Sequence, residues 1–111
     1  MGRYAMIKKE FRFLSEKYGF KIHMKQKRGA YYYIVWTNMH VNIMVLYDEQ
    51  VDEHVENPVR IRVYDADSLG TVYDAVEYQD EFFFDFRSPR ERIRSASDWL
   101  KISIINGIVE I

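Results

Sequence analysis

Tyr18-Gly19-Phe20-Lys21-Ile22-His23-Met24-Lys25 contains the change of rhythm that decides the fold. Upstream of it, Tyr4, Ile7, Phe11, Leu14 and Tyr18 follow one another at steps of three and four, while Lys8, Lys9, Arg12, Glu16 and Lys17 occupy the other faces. That spacing predicts one amphipathic helix ending near Tyr18. Gly19 can take the left-handed conformation just past the last turn, and Phe20 can fold back as the hydrophobic partner of that cap. Downstream the period falls to two: Phe20, Ile22 and Met24 alternate with Lys21, His23 and Lys25, which predicts a half-buried strand.

Arg28-Gly29 permits a turn, after which Tyr31 to Trp36 is apolar or aromatic at every position, as expected of a strand covered on both faces. Thr37-Asn38 supplies a second turn, and Val41, Ile43 and Val45 share one face of the next strand. Asp48 to Pro58 is acidic and poor in apolar residues, hence a solvated loop. Val59, Ile61 and Val63 alternate with Arg60, Arg62 and Tyr64 in a fourth strand. Asp65 to Gly70 is turn-like, Thr71 to Tyr78 fits either a strand or a short helix, and the alternation of Phe82, Phe84 and Phe86 with Phe83 and Asp85 favours another strand. Ser88-Pro89-Arg90-Glu91 then carries a helix start signal: a capping hydroxyl, a proline at the first helical position and a glutamate three residues after the cap. Ile93, Ala96, Leu100, Ile104 and Ile108 continue at helical spacing up to the natural terminator Gly107, although the isoleucine-rich end is also compatible with extended chain. The expected fold is α+β, an antiparallel sheet of four to six strands with an N-terminal and a C-terminal helix packed on one face and the other face partly open.

A length of 111 residues with 48% hydrophobic content suits one domain spanning 1–111. The absence of cysteine removes disulfides, thiolate metal sites and cysteine nucleophiles. Met6 stands where a myristoylation signal wants Ser or Thr, no secretory h-region follows, and Tyr31 to Trp36 is too short an apolar run to span a bilayer. A cytoplasmic protein without a membrane partner is expected.

The sequence holds no specific catalytic constellation, so an enzyme is not expected. His23, His40 and His54 are scattered over a strand, a turn and an acidic loop, and isolated surface histidines explain them better than ligation or proton transfer. Asp65-x-Asp67 is better read as an acidic turn than as a cation site, which needs several more fixed oxygens. No glycine-rich phosphate loop, nucleophile elbow or paired zinc-ligand motif is present. No cofactor is expected.

Charge distribution is more informative. The formal net charge is only -1, but residues 1–31 hold nine Lys or Arg against two Glu, a net of +7, and residues 48–85 hold twelve Asp or Glu against two Arg, a net of -10. A charge block is usually a solvated face, and these two can pair inside the fold. The acidic block nevertheless interleaves carboxylates with Tyr64, Tyr73, Tyr78 and the run Glu81-Phe82-Phe83-Phe84-Asp85-Phe86, a composition suited to a basic protein partner. The alternative is a nucleic-acid-binding module, in which Lys8, Lys9, Arg12, Lys21, Lys25, Lys27 and Arg28 contact phosphates beside Tyr31 to Tyr33.

Several stretches in order, Phe13 to Phe20, Val41 to Asp48, Pro58 to Val63 and Ser88 to Lys101 with its Trp99-Leu100-Lys101, resemble the small immunity proteins encoded beside bacterial polymorphic toxins, including contact-dependent growth inhibition systems. The formal net charge of -1 departs from the strongly acidic members. The resemblance implies a cytoplasmic protein that binds one cognate toxin, commonly a nuclease, and blocks its active site or substrate surface. On this reading Asp74, Glu77, Asp80 and Glu81 accept basic side chains of the toxin, and Tyr73 and Tyr78 pack as anchors.

Overall fold

Gly19 ends the N-terminal helical region at φ 71° and ψ 16°, in the left-handed region that its missing Cβ permits. The Phe20 N–H then donates to Leu14 O at 2.9 Å, and the Phe20 ring is buried. The computed structural model describes residues 2–51, 56–68, 76–78 and 87–111. Its elements are α1 (Arg3–Glu10), α2 (Phe13–Tyr18), β1 (Lys21–Arg28), β2 (Tyr31–Thr37), β3 (Val41–Asp48), β4 (Val59–Asp65), β5 (Val76–Glu77) and α3 (Pro89–Ile105). The strands lie in the order β1-β2-β3-β4-β5, each antiparallel to the next. The chain is therefore α+β, with an antiparallel sheet between N-terminal and C-terminal helices. The expected strand over 82–86 lies outside the described residues.

Alternation in the central strands builds the core. Trp36 is opposite Ile43, and Ile43 is opposite Val63; Ile34, Val45 and Ile61 form a second such row. Directly opposed residues share a face. These side chains are buried in one cluster with Ile7 and Phe11 from the N-terminal region, Leu14 of α2, and Ile93, Ala96 and Leu100 of α3. The reverse face carries Met24, Tyr33, Val35, Met44, Leu46, Arg60, Arg62 and Tyr64, most of them only partly covered.

Four details differ from the sequence reading. The first helix is broken at Phe11 and Arg12, where the Leu14 N–H donates to Phe11 O at 3.1 Å and the Ser15 N–H to Arg12 O at 3.0 Å, a tighter three-residue spacing. The tightening lets the Phe11 and Phe13 rings approach to 6.2 Å, although residues two apart on a straight helix point away from each other.

The second difference is in β1, which is exposed along its length except for the half-buried Gln26. It is an edge strand with an irregularity between Ile22 and Met24, so that Ile22 is opposite Trp36 while Met24 is opposite Val35. The extra residue, His23, inverts the alternation: Met24 joins the reverse face, and Lys25 and Lys27 come to the helix side, opposite Ile34 and Tyr32. The third difference is graded burial in β2. Ile34, Val35 and Trp36 are buried, Tyr32 and Tyr33 are half-buried, and Tyr31 is 41% exposed.

The fourth difference follows α3, which continues through Ile105 as its helical spacing predicts. Gly107 then reverses the chain at φ 75°, and the N–H groups of Ile108 and Val109 both donate to Ser103 O, at 2.9 and 3.1 Å. Val109, not Ile108, is the residue that enters the core.

Candidate functional site

The lysine-rich strand is built onto aromatic rings. Lys25 Nζ lies 4.7 Å from the centre of the Tyr4 ring and Lys27 Nζ 4.8 Å from that of Tyr32, and the two rings meet edge to face at 5.3 Å. Ring faces attract cations electrostatically, and lysine stems cover apolar surface while their ammonium groups stay in water. The hydrogen bond to the Tyr32 hydroxyl raises the pKa of Lys27 above its ordinary value, and the charge of Tyr32 adds to this. Burial raises the Tyr4 phenol, with Tyr32 beside it contributing in the same direction. Arg3 completes the group, with its guanidinium 4.8 Å from the Tyr47 ring centre and its Nε 3.2 Å from Glu49 Oε1. None of the ion pairs among the described residues involves β1, so its four cations, Lys21, Lys25, Lys27 and Arg28, are not neutralised by a contacting carboxylate there.

The acidic block is distributed differently. Asp48 is buried at the end of β3, where its Oδ1 accepts the Gln50 N–H at 2.9 Å while its own N–H donates to Pro58 O. Glu49 is paired with Arg3, and Glu56 lies 3.3 Å from Arg60. Asp65 and Asp67 are exposed where β4 ends and the following turn begins.

Of the predicted partner-binding residues, Glu77 is on β5, opposite Arg62. Tyr78 is buried in the core, its ring 5.3 Å from that of Trp99, and its N–H donates to Ile61 O at 2.9 Å. Its ring is thus engaged inside the fold rather than standing as a surface anchor. Tyr73, Asp74, Asp80 and Glu81 lie outside the described residues. The structure brings Glu77 and Tyr78 together on and beside one short strand and leaves the other four positions undescribed.

Sheet order places the lysine-rich β1 and the short β5 with Glu77 at opposite edges of the sheet. From β1 to β5 there are four strand spacings of about 4.8 Å, roughly 19 Å in all. That exceeds the screening length of about 8 Å at physiological ionic strength, so the β1 cations do not cancel carboxylates at the β5 side. The Lys25 and Lys27 contacts were not legible in the sequence, because strict alternation puts both lysines on the side away from the core until His23 is recognised as an extra residue.

His23 and His40 are both exposed, and His54 lies outside the described residues. Among the described residues no three His, Asp or Glu side chains gather as a metal site, and no helix is long and apolar enough to cross a membrane. No protein family matches the sequence, and neither the curated proteins nor the solved structures contain a match.

Proposed function

We propose that this chain is an immunity protein, acting in the bacterial cytoplasm, that neutralises a cognate toxin by stoichiometric occlusion. In this reading the binding surface is the side of the sheet where β5 and the flanking acid-rich segments emerge. One observation supports it above the others: the sheet order keeps the lysine-rich strand about four strand spacings away from β5, so Glu77 is not neutralised by that strand. A nuclease must present a basic surface to attract phosphate, and carboxylates steer such a surface into contact. Glu77 is the described residue committed to this role; Asp74, Asp80 and Glu81 would extend it, with Tyr73 as the ring that packs against the partner. The helices packed against one sheet face make the scaffold, and no catalytic step is assigned to it.

Co-expression with the toxin domain encoded in the adjacent reading frame tests the proposal. The wild-type chain restores growth and co-purifies with the toxin, whereas Glu77→Lys combined with Asp80→Lys weakens the complex roughly tenfold or more while thermal unfolding stays unchanged. Equal affinity for the doubly reversed protein removes this surface from the account.

A second reading has its own observation. Tyr31 is 41% exposed at the end of β2, next to the cations of β1, an arrangement that suits stacking and phosphate contact. A nucleic-acid-binding module predicts binding of labelled RNA or DNA that weakens steeply as salt rises. No binding at low salt ends that reading.

A further inference from the structure

We propose that the outer edge of β1 accepts an extended segment of another protein as an added strand, and that this segment alternates acidic with apolar side chains. Among the described residues β1 is the last strand on its side of the sheet order and pairs only with β2, so one row of its backbone N–H and C=O groups has no strand partner there. The strand is eight residues long and open to solvent along almost all of them; even its apolar side chains Ile22 and Met24 are 43% and 40% exposed. An open row of backbone donors and acceptors is a template for strand addition, in which the main chain supplies affinity and the alternating side chains supply selectivity.

The side-chain rows of β1 define the occupant. Beyond the irregularity at His23, Lys25 and Lys27 lie on the helix side and Met24, Gln26 and Arg28 on the reverse side. An incoming strand sets its residues directly beside these, so one of its faces meets two ammonium groups and the other meets Met24 and the stem of Arg28. Carboxylates fit the first row and apolar side chains the second. The contacts of Lys25 with Tyr4 and of Lys27 with Tyr32 hold both stems along the rings, so part of their freedom is lost before anything binds. The β1 strand of a second copy does not fit, because lysine would oppose lysine. Nucleic acid could satisfy the cations but not the backbone row. This edge lies on the opposite side of the sheet from the toxin-binding surface proposed above and stands independently of it.

Titration of isotopically labelled protein with a capped peptide alternating glutamate and valine tests the proposal. The expected result is slowed amide exchange and shifted resonances confined to residues 22–28, with α3 resonances unmoved. Grouping the glutamates at one end of the peptide, or introducing Lys25→Glu with Lys27→Glu, weakens binding roughly tenfold. The milder pair Lys25→Gln with Lys27→Gln gives an intermediate loss and guards against misfolding of the reversed protein, with intact α3 resonances as the check. Three outcomes overturn the proposal: no β1 protection at millimolar peptide, affinity unaffected by both pairs of substitutions, or an oligothymidylate that shifts the same amides more tightly than the peptide does.

Discussion

Ser97 fixes the relation of the first helix to the last. Its hydroxyl is fully buried and donates to Glu10 O at 2.6 Å, satisfying a carbonyl at the end of α1 that has no partner within its own helix. Ser97→Ala leaves that acceptor dry and unpaired, a loss of about 1–3 kcal/mol. Urea denaturation should give a lower midpoint with an unchanged slope. The Glu10 side chain offers an internal comparison, because its contact with Arg94 at 3.5 Å involves a half-exposed guanidinium. Arg94→Ala should therefore cost about 1 kcal/mol or less. The Ser97 bond spans 87 positions and joins a serine to a main-chain atom, so no local pattern announces it.

Elements were legible where a local signal fixed them. The start of α3 is the plainest: Ser88 Oγ accepts the Glu91 N–H at 3.2 Å, Glu91 Oε1 accepts the Ser88 N–H at 3.2 Å, and Pro89 occupies the first turn. Ser88→Ala should lower stability by about 1 kcal/mol and Ser88→Asp should restore most of it, both read from thermal or denaturant unfolding. The buried rows of β3 and β4 follow their alternation directly. The rhythm failed wherever the chain gained or lost a fraction of a turn or step. Phe11 and Arg12 interrupt a stripe whose spacing continues across them, and His23 inverts a strand that reads as regular. Both irregularities answer to tertiary partners, the Phe11 ring against Trp36 at 5.8 Å and the lysines against Tyr4 and Tyr32. Of the candidate site, the sequence showed the charge blocks and their residue types; that β1 and Glu77 stand at opposite edges of the sheet depended on strand order.

Across the whole molecule, the contacts between β1, β2 and α1 make stability sensitive to alkali. Tyr4 and Lys27 both have pKa values raised by folding, the first by burial and the second by the Tyr32 hydroxyl. A group whose proton is held more tightly in the folded state stabilises that state fully below its unfolded pKa, about 10 for both, and the contribution is lost as pH rises through the higher folded value. Denaturation midpoints should therefore fall above about pH 10. Tyr4→Phe with Tyr32→Phe should flatten that fall, since the rings remain while the phenol and the hydrogen-bond acceptor are gone. An equally steep decline in the double variant would assign the alkaline loss to other groups.

The irregularity at His23 also says how easily this rim could be rewritten. Deleting that one residue would leave Ile22 and Met24 consecutive, opposite Trp36 and Val35, a simple two-step rhythm in which everything from Met24 to Arg28 keeps its present side. Straightening the strand with His23 still in it would instead carry those five residues across: lysines now lying against tyrosines would join Val35 and Met44, and a methionine would slide in beside the first helix. The greasy and the cationic sides of the rim are thus exchanged by regularising the backbone, not by losing the residue.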